Sequence, residues 1–446
     1  MTAVKAIDDR EVRGFSISAL WPVRLLGRRP GLKEANIVCW GLLIAFLLVP
    51  SFVVFILQAR RGSESIQRHS DFVLYYGDGT LANRYPAPKI YDPNLQHRVF
   101  LEICPHPRGA FGVSPYPPMV PYLFSLFARL PFTPAYFLWM LVSLSLYCAG
   151  IGFAAKAIFP VDRPMRALIF CFALAYFPFI GSTLVNGQLS IFAVFAVGLG
   201  LYYEQLGSLF YSGLALSLLT YKPTLLLLVL PMLVFTRRFR TLAGFCAGSA
   251  LLVLVDTILG GIRVWPAYYQ LLEYHKKLTG LHGHADIKLS MYLDFSSLTH
   301  LLPGGRTPAG LALAAGLSVV VGGALVLLLW KSAKASRSVQ WLAWAATLTW
   351  TLLLNVYVPI YDSVLAVIAV ILTLGALRQL KWRIASEWIT LLAIITLAVS
   401  WKTVSFAKVH HVQLLSIALF LIAVAQLWFL RRAIQQGEVA TPALES

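Results

Sequence analysis

The sequence predicts an all-α polytopic membrane protein: a bundle of about twelve transmembrane helices with a large first extracytoplasmic loop. Three observations support this prediction. Of the 446 residues, 58% are hydrophobic and 13% are charged, and the mean hydropathy is +0.72, which is not the composition of a soluble domain. Apolar runs long enough to cross about 30 Å of hydrocarbon recur along the chain. Short clusters of Lys and Arg separate these runs, as is typical of cytoplasmic loops.

The net charge of +18 does not indicate a nucleic-acid partner. The basic residues lie in clusters next to apolar runs, where they anchor the topology against an anionic leaflet. We therefore expect membrane lipids, and no nucleic acid, among the partners.

The first element is a basic tail, residues 1–35, which we expect to be cytoplasmic because of its Arg and Lys content. It lacks the pattern of a cleaved signal peptide. The membrane domain is predicted over 36–430, and residues 431–446 form a second cytoplasmic tail. The spans are predicted at 36–57, 134–156, 165–182, 187–204, 208–221, 223–236, 239–260, 308–330, 339–356, 360–377, 386–404 and 411–430.

Two connections between spans are long. Residues 58–133 are polar and rich in proline, and they form the predicted first outer loop. Within it, residues 116–131 are apolar but too few for a full crossing, which favours a re-entrant or interfacial helix. Residues 261–307 form the second outer loop. Alternate threading of the spans places every short basic cluster on the cytoplasmic side, so both termini are predicted to be cytoplasmic.

The same threading places polar, non-basic groups on the outer side. They include Asp71, the stretch from Asn186 to Gln188, Lys222 with its neighbours, and Asp362. A site at the outer leaflet is therefore expected, where a lipid-borne substrate has lateral access. Because nucleotide sugars are cytoplasmic, a sugar transferase facing outward needs a lipid-linked phosphate donor.

Such chemistry requires few groups. The acceptor hydroxyl needs one base, and the departing phosphate needs cations or hydrogen-bond donors. Asp71 and Lys222 meet these needs on the predicted outer side. His411, at the mouth of the last span, either binds the donor phosphate or only marks the interface.

The order of several short motifs resembles glycosyltransferase family 87, over about residues 36–430. The motifs are Asp71-Phe72 with Tyr75-Tyr76, Ile90-Tyr91-Asp92, Tyr116-Pro117-Pro118, Asn186-Gly187-Gln188, Tyr221-Lys222-Pro223 and Tyr361-Asp362.

The resemblance implies a GT-C fold in a bacterial inner (plasma) membrane. It also implies inverting, metal-independent transfer of a sugar, with mannose expected, from a polyprenyl-phosphate donor to a glycolipid or glycan hydroxyl. Asp71 matches the catalytic base. The expected phosphate contacts are Lys222 and His411. The expected sugar or acceptor contacts are Tyr75, Tyr76, Tyr116, Asn186, Gln188, Tyr357 and Asp362.

One position departs from the family. Its members often have a histidine shortly before the Tyr-Asp pair, and Tyr357 takes that place here. A phenol donates a hydrogen bond but is not cationic near neutral pH, which leaves the role of this position open.

Each site residue also has a structural interpretation. Asp71 is a solvated loop acid in that reading, and Lys222 only extends its ammonium to the interface from a helix end. The Asn186-Gly187-Gln188 stretch is then a plain turn, and Asp362 complements a helix N-terminus.

No metal or other cofactor is expected. His282 and His284, in a Gly-rich loop, lack a specific ligand spacing. The five cysteines show neither a disulfide framework nor a zinc pattern.

The alternative function is a lipid or sugar transporter or flippase, which twelve spans also suit. Transporters carry polar groups near the bilayer midplane and often have repeated halves. Here the acids gather at one face and no repeat is visible, which favours the transferase. The identity of the sugar and the acceptor, the linkage and the oligomeric state stay open.

Overall fold

The computed structural model describes residues 62–107, 112–279, 289–301, 307–356 and 358–437, together with residues 48, 49, 52–54, 56, 57 and 60. These residues contain no β-strand, and the isolated bridge among them joins Tyr292 to Pro359. The predicted all-α polytopic membrane fold is confirmed. The tail 1–35 lies outside the described residues. The predicted span 36–57 is helical at all seven of its described positions.

The described residues between 62 and 131, most of the predicted first outer loop, form short helices and their connections. Asp92 starts one of them: its carboxylate accepts hydrogen bonds from the N–H groups of Asn94 and Leu95, and Pro93 occupies the first helical position, where no N–H is needed. The helices are α1 (Ser63–His69), α2 (Phe72–Arg84), a 3-10 helix (Ala87–Tyr91), α3 (Pro93–Ile103) and α4 (Met119–Phe127). With nine residues, α4 is too short to cross a bilayer, in line with the predicted interfacial segment 116–131.

The rest of the chain forms the helical bundle. Its α-helices are α5 (Phe132–Ile158), α6 (Arg163–Ala175), α7 (Ile191–Gln205), α8 (Leu209–Leu216), α9 (Val229–Phe235), α10 (Phe239–Gly260), α11 (Val264–Thr279), α12 (Phe295–Leu301), α13 (Pro308–Lys331), α14 (Arg337–Leu354), α15 (Leu365–Gln379), α16 (Arg383–Ser400), α17 (Thr403–His410) and α18 (Leu414–Gln435). A π-helix (Pro178–Leu184) follows α6. Four 3-10 helices cover Ser217–Tyr221, Pro223–Leu226, Leu289–Met291 and Ile360–Val364.

Within the described residues, six segments are long and apolar enough to cross a membrane: α5, α10, α13, Ile360–Gln379, α16 and α18. A seventh candidate is α6 with the following π-helix, bent by 53°. The predicted spans 187–204, 208–221 and 223–236 correspond to shorter apolar helices, Ile191–Gln205, Leu209–Tyr221 and Pro223–Phe235. The predicted total of about twelve spans therefore stays a prediction.

The helices approach one another closely at glycines. A Cβ atom on Gly198 of α7 would lie 2.1 Å from the carbonyl oxygen of Gly150 of α5. One on Gly244 of α10 would lie 2.0 Å from the carbonyl oxygen of Phe210 of α8. Small residues at such contacts let backbones pack without a hydrophobic driving force, as in other membrane bundles. The centre of the bundle is α14, in which residues 341–353 are all buried.

A second, smaller core joins the two predicted outer loops. Its buried residues are Leu81, Ile90, Tyr91, Leu95, Val99, Val113, Val264 and Leu271. The first six come from the segment before α5, and the last two come from α11. Helix α11 of the second predicted outer loop therefore packs against the first.

Candidate active site

Asp71 lies directly before α2, with its side chain half-buried. It occupies the N-cap position, yet its side chain accepts no capping hydrogen bond. Its Oδ2 instead accepts a hydrogen bond from Nε2 of Gln188, 117 residues further along the chain. The next backbone N–H, of Phe72, donates to the carbonyl of Asn186 over 3.0 Å. Both the backbone and the side chain thus join this segment to the turn before α7.

That turn needs a glycine. Gly187 has φ of +74°, and a Cβ atom there would lie 2.7 Å from Cβ of Phe72. Its carbonyl accepts a hydrogen bond from the indole of Trp139 over 2.8 Å, and the Tyr136 hydroxyl donates to the carbonyl of Val185 over 2.6 Å. Two aromatic side chains of α5 therefore hold the turn against α5.

Gln188 connects Asp71 to a pair of tyrosines. The Tyr75 hydroxyl donates to Oε1 of Gln188 over 2.7 Å and lies 3.3 Å from the Tyr116 hydroxyl. Gln188 and Tyr75 are each 2% exposed. Burial raises the pKa of Tyr75 well above its ordinary value, and the neighbouring Tyr116, Tyr361 and Asp71 raise it further. The phenol therefore stays protonated and remains a hydrogen-bond donor.

Lys222 lies between the two 3-10 helices Ser217–Tyr221 and Pro223–Leu226. Its Nζ forms an ion pair with Oδ2 of Asp362 and lies 5.0 Å from the centre of the Tyr361 ring. The Ser190 hydroxyl donates to Oδ1 of Asp362 over 2.7 Å. The Asp362 side chain is 1% exposed and that of Lys222 is 18% exposed. The carboxylate is enclosed, while the ammonium retains contact with the space outside.

Tyr116 and Tyr361 connect these two groups of residues. Tyr116 is close enough to Lys222, Asp362 and Asp71 to interact electrostatically with all three, although burial is the main cause of the raised pKa of its phenol. Tyr361 contacts Lys222 through its ring. The half-buried Asp71 carboxylate and the partly exposed Lys222 ammonium thus both lie close to Tyr116. We call the set Asp71, Tyr75, Tyr116, Gln188, Ser190, Lys222, Tyr361 and Asp362 the polar cluster.

The structure brings together six of the ten residues selected from the sequence: Asp71, Tyr75, Tyr116, Gln188, Lys222 and Asp362. Asn186 takes part through its backbone carbonyl. The Tyr76 hydroxyl donates to the carbonyl of Leu130 over 2.8 Å. Tyr357 lies outside the described residues.

His411 is placed apart from the polar cluster. It follows α17 in a left-handed conformation, with φ of 57°, and its side chain is exposed. Within the described part of the chain, this side chain forms no hydrogen bond or ion pair with the cluster.

Sequence reasoning did not select Ser190 or assign a role to Tyr361. Tyr361 was visible as the neighbour of Asp362. For Ser190 no signal was available, because a serine ahead of an apolar run reads as an ordinary helix cap.

For cation binding, the described residues contain no group of three or more His, Cys, Asp or Glu side chains placed to hold a metal ion. The predicted non-ligands His282 and His284 lie outside the described residues. The chemistry of the polar cluster is that of one proton acceptor and one cation, with phenols as hydrogen-bond donors.

Comparisons with known proteins identify the family of the chain. No curated protein and no solved structure matched the chain. The model of glycosyltransferase family 87 matches residues 115–359, more than half of the chain. The matched region contains Tyr116, Gln188, Ser190 and Lys222, while Asp71 precedes it and Asp362 follows it. The chain belongs to glycosyltransferase family 87.

Proposed function

We propose that this glycosyltransferase moves a sugar, with mannose as the first candidate, from a polyprenyl-phosphate donor to a hydroxyl of a glycolipid or glycan. Asp71 is the base and Lys222 contacts the donor phosphate. The observation that supports this most directly is the arrangement of the polar cluster, in which a hydrogen-bonded carboxylate and an ammonium line the same region.

The proposed reaction is a single displacement. The acceptor oxygen attacks the anomeric carbon and gives its proton to Asp71. The bond from that carbon to the phosphate oxygen breaks, and polyprenyl phosphate leaves with the electron pair. One displacement inverts the anomeric carbon. The step needs no metal, because donors already present in the cluster can stabilise the departing anion.

Lys222 suits the phosphate for a simple reason. An ammonium has three N–H donors, and Asp362 accepts one of them. The Asp362 carboxylate, itself held by Ser190, fixes the direction of the ammonium. We therefore propose that Asp362 positions Lys222, since an almost fully buried carboxylate offers little surface to a sugar.

An apolar cavity supports a donor with a hydrocarbon tail. It has a volume of about 150 Å³ and lies between α6, α15, α16 and α18. Its lining is mostly apolar, which favours hydrocarbon over water. Its lining on α15 runs from Ala366 to Arg378, which corresponds to about 18 Å along a helix. At one end, the Tyr176 hydroxyl donates to Ser363 over 2.9 Å, next to Asp362.

The positions of the basic residues support an extracytoplasmic site. Helix α7 begins beside Ser190 of the polar cluster and ends at Gln205, which accepts a hydrogen bond from Arg337 over 2.7 Å. At the same end of α7, Arg238 forms an ion pair with Glu204. Because basic loops favour the cytoplasm, we propose that the polar cluster faces the outside of a bacterial plasma membrane and that both termini are cytoplasmic.

The test uses the purified full-length chain in lipid nanodiscs, with labelled polyprenyl-phosphate-mannose and a glycolipid extract as acceptor. Asp71→Asn should abolish transfer, whereas Glu102→Gln, which neutralises an exposed acid of the same segment, should leave it unchanged. Transfer by Asp71→Asn at the wild-type rate would reject the proposal. Lipid or sugar translocation that persists in Asp71→Asn would support the transporter alternative instead.

A further inference from the structure

We propose that Gln188 is a positioning residue that orients the Asp71 carboxylate, and that Tyr75 anchors the opposite end of the Gln188 amide. The inference rests on the proposed function, in which Asp71 is the base. It gives Gln188 a different role from the sugar or acceptor contact expected from the sequence.

Both ends of the Gln188 side chain are engaged. Nε2 donates to Asp71, and Oε1 accepts from Tyr75 over 2.7 Å. The residue is 2% exposed, so a sugar has almost no surface of it to contact. Its amide instead joins two protein groups, one of which is the proposed base.

The orientation of the amide matters because its two ends behave oppositely. The NH₂ end donates to a carboxylate, whereas the oxygen end would repel it. The acceptor-only Asp71 carboxylate selects the NH₂ end. The Tyr75 hydroxyl stabilises that orientation, because it donates to the oxygen end.

Backbone hydrogen bonds hold the main chains of Asp71 and Gln188 at a fixed separation. The N–H of Gln188 donates to the carbonyl of Thr183 over 2.8 Å, and that of Phe72 donates to the carbonyl of Asn186 over 3.0 Å. The residues on either side of the contact are thus tied to the same turn. With both backbones fixed, the Gln188 amide determines the rotation of the carboxylate and hence the direction in which it accepts a proton.

This role predicts a specific kinetic pattern. A carboxylate that loses its orienting donor still binds substrates normally but accepts the proton less efficiently. Gln188→Met, which keeps the size and removes the donor, should lower kcat by about tenfold or more while KM for the donor changes less than about twofold. Tyr75→Phe, which removes the hydrogen bond to the oxygen end of the Gln188 amide, should lower kcat to a smaller extent.

Gln188→Glu gives a readout that structural damage alone would not produce. It places a second carboxylate beside Asp71, and like charges disfavour ionisation of the pair. The limb of kcat/KM that rises with pH should therefore move to higher pH by about one unit, and activity should recover in alkaline buffer.

Gln96 provides a matched control. It is also buried, at 4% exposure, and also uses both ends of its amide: Nε2 donates to Ile90 over 3.0 Å, and Oε1 accepts from Ser114 over 3.2 Å. It lies outside the polar cluster. Gln96→Met should lower the melting temperature by about as much as Gln188→Met, with the kcat and pH profile of the wild type.

The experiment measures transfer from polyprenyl-phosphate-mannose between pH 5 and pH 9, together with the melting temperature of each variant. An unshifted pH profile in Gln188→Glu, or equal losses of kcat in Gln188→Met and Gln96→Met, would overturn the inference. If Asp71→Asn is inactive in the same assay, only the role of Gln188 fails. If Asp71→Asn is fully active, the proposed function itself fails.

Discussion

Lys222 forms an ion pair with Asp362, 140 residues further along the chain, and this carboxylate is almost completely buried. The ion pair holds Lys222, which lies between two 3-10 helices, against the start of the apolar segment Ile360–Gln379. The buried carboxylate and the partly exposed ammonium thus stabilise each other within the bundle.

Removal of the Asp362 charge alone should destabilise the protein more than removal of the Asp362 and Lys222 charges together. Asp362→Asn leaves the ammonium without its counter-charge, at a cost of about 3 kcal/mol, the low end for buried pairs because Lys222 is partly exposed. The double variant Asp362→Leu with Lys222→Met should regain much of that stability but remain inactive. Thermal unfolding in detergent measures both effects. Equal melting temperatures of the wild type and Asp362→Asn would contradict this expectation.

Lys222→Ala should impair use of the donor more than use of the acceptor. A charge-assisted hydrogen bond contributes about 1.5–3 kcal/mol, so kcat/KM for polyprenyl-phosphate-mannose should fall by roughly 10- to 100-fold. KM for the acceptor should change little. Lys89→Ala, which removes an exposed lysine of the first segment, is the control. Unchanged kinetics at every donor concentration would exclude a phosphate contact.

Gly187→Ala should inactivate the enzyme. Its φ of +74° strains any side chain, and the new Cβ atom would lie 2.7 Å from that of Phe72, next to Asp71. The expected cost is about 1–3 kcal/mol, with displacement of the base. Gly207→Ala is a close control, because φ is +75° there and nothing lies within 4 Å of the added atom. If both variants keep equal transfer rates, the turn does not position Asp71.

Asp78 should make stability depend on pH. It is 3% exposed, its Oδ2 has no hydrogen-bond partner within the described residues, and burial raises its pKa to about 8, with Ser114 offsetting part of the effect. Between about pH 4 and pH 8 the folded chain keeps a proton that the unfolded chain has lost. The contribution of Asp78 to the free energy of unfolding is therefore complete below about pH 4 and declines as the pH rises to about 8.

Asp78→Asn should remove that decline. Melting temperatures measured from pH 5 to pH 9 should converge with those of the wild type at the acid end, and the variant should be the more stable protein at pH 9. Parallel curves for the two proteins would show that Asp78 does not titrate in this range.

A bulky side chain in the apolar cavity should discriminate between donors by tail length. Val370 lines the cavity, and Val370→Trp should raise KM for a long polyprenyl donor while a donor with one or two isoprene units is used as before. Val424→Trp makes the same change at an exposed position of α18 and should affect neither donor. Equal KM values for both donors in Val370→Trp would show that the cavity does not hold the tail of the donor.

The sequence predicts the membrane class well, because hydropathy reports directly on transfer into hydrocarbon. It predicts the continuity of helices less well. Residues 208–236 read as two spans, yet they form α-helices interrupted by two 3-10 helices around Lys222, since apolar composition is compatible with either geometry. Motif order and alternate threading are enough to place Asp71, Gln188 and Lys222 at one end of the bundle.

The individual contacts could not be predicted. Ser190 reaches a carboxylate 172 residues away, and nothing local to it signals that partner. His411, selected for its position at the mouth of a span, has an exposed side chain that forms no hydrogen bond or ion pair with the polar cluster within the described residues. Local sequence predicts a side of the membrane for each loop, but it does not predict the rotamers and turns that bring distant segments into contact.

Gln188 and Ser190 lie only two residues apart, and each holds one of the two acids of the cluster. One short piece of main chain therefore connects the Asp71 carboxylate to the Asp362 carboxylate, which pairs with Lys222. A shift of this piece would move both carboxylates together. A deletion or insertion within it would separate them even though every participating side chain was still present.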